Sequence, residues 1–256
     1  MALFETHCFS TALRMCVHLN VILPQRNSTG EIGVHSAGAA QYPVLYLLHG
    51  LSDDDTIWLR RTSIERYASE KGIAVVMPTT HRGWYVDSPA GHYYSFIGRE
   101  LPQLIAEFFP TISQKRADTF IAGLSMGGYG ALRFALSMPE RYAAAAALSG
   151  AFDIANPARR TMLEAEAVLS GDPTGTENDV YFLAQRLADS GAEKPAIYMW
   201  CGTEDGLLDD SRRMRDLMRR TGYELTYSES PGVHAWPYWD AQIQNVLNWI
   251  ESLRAQ

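Results

Sequence analysis

The chain has 256 residues, enough for one large hydrophobic core. With 46% hydrophobic, 20% charged and 11% aromatic residues, it lies outside the disordered, collagen-like and membrane-bundle compositions. Its net charge of −7, from 22 basic and 29 acidic residues, offers no positive field to a phosphate backbone or an anionic lipid surface, so neither nucleic acid nor membrane is an expected partner.

The first segment, MALFETHCFSTALRMCVHLNVILP, interrupts its apolar stretches with Glu5, His7, Arg14 and His18 before signal-peptide or spanning length is reached. A cytoplasmic location is expected. Phe4 to Phe9 and Met15 to Leu23 suggest strands of a leading antiparallel pair. Between Pro24 and Tyr42, NSTGEIGVHSAGAA has the composition of a long surface connection.

From Pro43 onward, short apolar runs alternate with helical patterns. The runs are VLYLLHG (44–50), GIAVVMP (72–78), TFIAGLS (119–125), YAAAAALSG (142–150), AIYMWCG (196–202) and ELTYSES (224–230). The first five are apolar throughout, which suits strands covered by helices on both faces, so the expected class is α/β with a mostly parallel sheet. Helices are predicted over Ile64–Lys71, Ile97–Phe109, Met126–Met138, Tyr181–Gly191, Asp209–Thr221 and Trp236–Arg254. The alanine run 143–147 is read as a strand from its length between Pro139 and Gly150, against alanine's own helix preference. One domain over 1–256 is expected, with a helical insertion around 152–190 near the carboxyl edge of the sheet.

Cys8, Cys16 and Cys201 contain no Cys-x-x-Cys pair, and His7, His18, His35, His81 and His92 have no metal-ligand spacing. No cofactor and no metal are expected. The most informative stretch is Gly123-Leu124-Ser125-Met126-Gly127, set between a predicted strand and a predicted helix, which is the context of a nucleophile elbow. Glycine two residues before and two after the serine relieves crowding at so sharp a turn. The helix that follows points the Met126 amide at the place where negative charge develops on an attacked carbonyl.

A serine hydroxyl needs a base, and the base needs an orienting carboxylate. In the order Ser, acid, His, only His234 follows both the serine and a candidate acid; it sits in SPGVHAWPYWD between the last predicted strand and helix. The acid belongs after AIYMWCG, where Glu204, Asp205, Asp209 and Asp210 stand. Asp205, in the tight GTEDG loop, is preferred; Asp209 and Asp210 fall where a helix N-cap belongs, and Glu204 stays as the rival. The second amide for an oxyanion belongs to the loop after VLYLLHG, at Leu51, with His49 read as a brace of that loop.

Taken together, YLLHGLSDDDTIW, GLSMGGYGAL, CGTEDGLLDDSRR and HAWPYWD resemble the esterase D-type α/β-hydrolases, in particular the tributyrin and acetyl esterase branch, from Leu3 to Ile250. The resemblance implies a triad of Ser125, Asp205 and His234, oxyanion amides at Leu51 and Met126, and a homo-oligomer, a dimer or tetramer. It also implies a serine carboxylesterase acting on short-chain esters of small molecules. Related S-formylglutathione hydrolases and cinnamoyl or feruloyl esterases are the alternatives. The first usually carry Ser-Gly-Leu-Thr-Cys in the oxyanion loop and histidine after the double glycine of the elbow, where this chain has His49-Gly50-Leu51-Ser52-Asp53 and Tyr129. An acyltransferase is a further alternative, and a binding protein that keeps the fold without catalysis would conflict with the complete set of blocks.

Trp84, Tyr85, Tyr93 and Tyr94 lie in the aromatic segment 81–102, and two readings stay open for them: walls of an acyl pocket, or anchors of a long loop. Trp84, Tyr85 and Tyr94, with Trp236 from the block that carries the base, are the candidate pocket residues. Arg99 and Glu100 need be nothing more than surface charge, and the helix DDSRRMRDLMRR reads as a solvated face whose charges match the helix dipole.

Overall fold

The computed structural model describes residues 1–25, 41–169 and 171–255; the surface connection expected from Pro24 to Tyr42, His35 included, lies outside the described residues from 26 to 40. In chain order the strands are β1 (Ala2–Ser10), β2 (Met15–Leu23), β3 (Val44–Leu48), β4 (Ala74–Pro78), β5 (Asp87–Ser88), β6 (Gly91–His92), β7 (Thr119–Leu124), β8 (Ala144–Leu148), β9 (Ala196–Gly202) and β10 (Leu225–Ser230). The helices are α1 (Ile57–Arg61), α2 (Ile64–Lys71), α3 (Tyr93–Ser95), α4 (Leu101–Phe108), α5 (Met126–Ser137), α6 (Pro157–Met162), α7 (Val180–Ser190), α8 (Leu208–Arg220) and α9 (Trp236–Arg254).

Eight strands form one sheet in the order β1-β2-β4-β3-β7-β8-β9-β10, and β5 pairs with β6 in a separate short ribbon. The leading pair is antiparallel and joins β4 antiparallel; from β4 to β10 every neighbour is parallel. Alternation of side chains along each strand divides the core in two. Val44, Tyr46 and Leu48 face a layer built from α4, α5, α7 and α8, while Leu45 and Leu47 face α1, α2 and α9. β8 is a fully buried strand despite four consecutive alanines, because the parallel ladders to β7 and β9 hold it from both sides.

Some expectations are corrected. The helix predicted over Ile97–Phe109 begins earlier, at Tyr93, and passes through a π-helical turn at Phe96–Glu100 before α4. Pro102 has no N–H to donate and its ring crowds the carbonyl four residues earlier, which suits the wider turn just before it. Glu100 is more than surface charge. Its carboxylate accepts from the Ser10 hydroxyl at 2.5 Å and from the amides of Thr11 and Ala12 at 2.6 and 3.1 Å, closing the turn between β1 and β2.

The chain adds β4 on one side of β3 and then returns to add β7 on the other, so the order of the parallel strands reverses between β3 and β7. Ligands of open α/β sheets bind outside the carboxyl ends of the strands at such a switch. Leu48 is opposite Gly123 in the β3–β7 ladder, and the loop after β3 therefore emerges beside the turn that holds Ser125.

Candidate active site

Ser125 occupies the turn between β7 and α5 with φ 54° and ψ −117°. Positive φ on a non-glycine residue costs on the order of 1–3 kcal/mol and survives only where the surroundings over-determine it. They do so here: the Ser125 N–H donates to Leu148 O at 2.9 Å, and its carbonyl accepts from Tyr129 and Ala151 amides at 3.1 and 3.2 Å. A Cβ on Gly123 would stand 2.4 Å from the backbone of Gly127, the crowding expected from the sequence. Gly127 is required for another reason, since its Cβ would stand 2.6 Å from the carbonyl oxygens of both Leu48 and His49. The start of α5 therefore packs directly on the loop after β3. Met126, as the first helical residue, has no intrahelical acceptor for its N–H.

The carbonyls of Leu48, His49 and Gly50 are all held. Trp58 Nε1 donates to Leu48 O at 3.1 Å, the Tyr85 hydroxyl to His49 O at 2.8 Å, and Gly50 O accepts from the Asp53 amide at 3.2 Å and contacts His49 Nδ1 at 2.7 Å. His49 Nε2 accepts from the Thr80 amide at 2.9 Å, so the proton is on Nδ1, which donates to Gly50 O. In a planar trans peptide the N–H opposes the C=O, so fixing Gly50 O on His49 and Asp53 also fixes the direction of the Leu51 N–H. His49 thus braces the loop.

Burial lowers the pKa of His49 to about 4, more than the Gly50 hydrogen bond and the nearby Asp54 raise it. The unfolded chain then binds the extra proton between its ordinary value near 6.5 and about 4, and stability must fall as pH falls through that window. We expect this residue to withdraw about 3 kcal/mol between pH 7 and pH 4. Urea unfolding at both pH values should show a smaller loss for His49→Gln than for the wild type; equal losses would contradict the assignment.

Asp205 is 6% exposed, and its Oδ2 accepts from His234 Nδ1 at 2.8 Å while Oδ1 accepts from the Leu207 amide at 2.9 Å. Burial raises its pKa, but the His234 hydrogen bond and charge, the Leu207 amide and the Ser149 hydroxyl together outweigh burial and hold it below the usual carboxylate range. It is ionised wherever an imidazole can act as a base. With Nδ1 donating to this carboxylate, the free lone pair of neutral His234 is on Nε2.

Two residues outside the sequence reading complete this arrangement. Trp239 meets the His234 ring edge to face at 4.8 Å between centroids and donates from Nε1 to Ser149 Oγ at 3.2 Å. Ser149 follows β8 at φ 50°, adjacent to Leu148, the acceptor of the Ser125 amide. This chain of contacts links the base to the elbow. A positive φ at Ser149 and a contact between α9 and the end of β8 leave no local signature that would have revealed them.

Of the other acids, Glu204 points away from His234, to Gly232 and Thr203. Asp209 lies in the first turn of α8, whereas Asp210 is buried and ties the segment after β8 down, accepting from the Asp153 amide at 3.2 Å and pairing with Arg159 at 3.2 Å. Arg159, on α6, also donates to Gly206 O at 2.8 Å, so the excursion between β8 and β9 rests on the loop that carries Asp205.

The aromatic candidates separate. Trp84 and Tyr85 expose no surface and belong to the core, Tyr85 as the brace of His49 O just described. Tyr94 stacks on Phe134 at 5.3 Å and donates to Ser137 Oγ at 3.0 Å, at the far end of α5 and twelve residues along the chain from Ser125. Trp84 and Tyr85, without exposed surface, anchor their segment, and Tyr94 is half-buried against α5. Trp236 is half-buried against Trp58 and Trp239 and alone of the four stays beside His234. Among the described residues, no group of three or more His, Cys, Asp or Glu side chains is placed to hold a metal ion, and no helix is long and apolar enough to cross a membrane.

Comparison with known proteins gives the same direction. A family model described as putative esterase matches residues 10–250. An acetyl esterase of Caldicellulosiruptor saccharolyticus is 28% identical, with 99% of each chain covered. Two solved Staphylococcus aureus structures also match with 98% of each chain covered. The fluorophosphonate-binding serine hydrolase FphF has a TM-score of 0.86 and 34% identity, and the S-formylglutathione hydrolase FrmB has a TM-score of 0.82 and 31% identity.

Proposed function

The chain belongs to the esterase family whose model spans residues 10–250, and from that premise we propose that it hydrolyses short-chain acyl esters of small molecules through an acyl-enzyme on Ser125. The observation that carries this reading is the buried Asp205 carboxylate hydrogen-bonded to His234 Nδ1, at the same sheet edge as the strained Ser125 turn. His234 Nε2 takes the hydroxyl proton of Ser125 as its Oγ attacks the ester carbonyl. The amides of Leu51 and Met126 bind the tetrahedral oxyanion, and Asp205 stabilises the imidazolium. The alcohol leaves with the proton from His234. Water, deprotonated by the same nitrogen, then attacks the acyl-enzyme and releases the acid and free Ser125. No cofactor or metal enters these steps.

Of the related activities, an S-formylglutathione-type thioesterase is the second reading, favoured by the likeness to FrmB. His49 and Tyr129 count against it. Both are buried structural groups here, His49 bracing the oxyanion loop and Tyr129 donating to Asn178 O at 2.8 Å. Rates on p-nitrophenyl esters of increasing acyl length, a feruloyl ester and S-formylglutathione test the proposal. It expects the largest kcat/KM on acetyl or butyryl esters; a larger value on S-formylglutathione or the feruloyl ester would replace it.

The proposal extends to a single catalytic domain with a helical excursion around 152–190, a cytoplasmic location, and a homo-oligomer, a dimer or tetramer. Apolar side chains exposed on and beside the leading strand pair, Leu3, Phe4, Phe9, Met15 and Phe108, support the last of these. Light scattering that reports a monomer would remove the oligomer from the proposal.

A further inference from the structure

The loops that carry Asp205 and His234 meet a second time, at Glu204 and Gly232. Glu204 grips that glycine twice: its N–H donates to Gly232 O at 3.0 Å, and its Oε2 accepts from the Gly232 N–H at 2.6 Å. Oε1 accepts from the Thr203 hydroxyl at 2.8 Å, which fixes the carboxylate plane. Next to this pair the Thr203 amide donates to Ser230 O at 2.9 Å, and a Cβ on Gly202 would stand 2.2 Å from Gly232 O. Gly202 and Ser230 are the last partners in the β9–β10 ladder. Glu204 therefore continues that ladder beyond the strands, with its side chain supplying the acceptor that a third strand residue would have supplied.

Two residues after Gly232 the chain reaches His234, and one residue after Glu204 it reaches Asp205. We infer that Glu204 is a positioning residue that sets the distance and orientation of His234 relative to Asp205 by clamping the loop of the base to the loop of the acid; this rests on the triad reading above. Glu204 is exposed and its bond to the buried Gly232 is only partly shielded from water, so the clamp contributes modestly to global stability. What it contributes is geometry. The bond to the Gly232 amide, followed by that from Thr203, holds the Glu204 pKa below the ordinary carboxylate value, so the acceptor is charged and the bond charge-assisted at working pH.

The test compares the wild type with Glu204→Ala, Glu204→Gln and Ser125→Ala on p-nitrophenyl acetate, with melting temperature and the rate of fluorophosphonate labelling measured on each. Misplacing a catalytic group by about 1 Å costs up to about 100-fold, and with His234 still bonded to Asp205 we expect Glu204→Ala to lose about tenfold in kcat and in labelling rate. KM and melting temperature should stay near wild type. Gln keeps an acceptor oxygen for the Gly232 amide and should restore kcat to within about threefold of wild type. Wild-type kcat in Glu204→Ala, equal losses in the Ala and Gln variants, or a loss confined to KM would each overturn the inference. Should Glu204→Ala fail to fold, Glu204→Asp, which keeps the charge one methylene short of Gly232, must be slower than Glu204→Gln. Activity retained by Ser125→Ala would instead defeat the triad reading, which separates the two failures.

Discussion

Ser125→Ala should turn over p-nitrophenyl acetate about 10⁵- to 10⁶-fold more slowly than the wild type in kcat. The size follows from what the substitution leaves in place. The proposed oxyanion amides of Met126 and Leu51 are untouched and His234 is still held by Asp205 at 2.8 Å, but no atom remains that can form the proposed acyl-enzyme. A site of this kind retains only the part of catalysis due to binding and oxyanion stabilisation, roughly 10³- to 10⁴-fold over water. Ser125 carries a positive φ, which alanine tolerates no better, so the backbone strain is unchanged and the variant should fold as the wild type does. Steady-state rates with circular dichroism on the same sample check both halves.

The second large effect is expected from Gly127→Ala, a substitution that touches no reacting atom. The new methyl group would stand 2.6 Å from two backbone oxygens, Leu48 O and His49 O, and neither can swing aside as a side chain would. Both are already bonded, to Trp58 and Tyr85. The clash must therefore move the whole loop that carries Leu51, or the start of α5 that carries Met126. Overpacking of this kind costs about 1–3 kcal/mol, and loss of one oxyanion donor costs about 10²- to 10³-fold in kcat. We expect both penalties together, read as a lower urea midpoint and a fall of at least about 100-fold in kcat. Gly206→Ala is the control, since a Cβ there meets nothing within 4 Å. A folded Gly127→Ala enzyme within threefold of wild type would show that the two amides do not depend on this contact.

Much of the site was legible because its signals are local. Ser125 announces itself through a strand, a glycine-flanked turn and a helix that are contiguous in sequence, and His234 through its place after the last strand. Loop position favours Asp205 over its rival Glu204, but sequence alone does not say which of two neighbours reaches the histidine, because adjacent residues differ in direction and nothing local records which loop each one faces. The fold decides it: the β9–β10 ladder ends at Gly202 and Ser230, which leaves Glu204 opposite Gly232 and directs Asp205 inward to His234. The packing of Trp84, Tyr85 and Tyr94 was hidden for a related reason. Aromatic character marks a large apolar contact but not its partner, and here the partners are His49, Tyr129 and Phe134. Helix α1, five residues long, is too short to show a periodicity, and the staple made by Glu100 joins residues about ninety positions apart.

Mass spectrometry after exposure to a fluorophosphonate reads out whether Ser125 is an activated nucleophile. A single adduct is expected in the folded wild type, on the peptide containing Ser125 and in step with loss of esterase activity, and no adduct in Ser125→Ala. An adduct of equal yield in Ser125→Ala, or a fully active wild type that is not labelled at Ser125, would contradict that role.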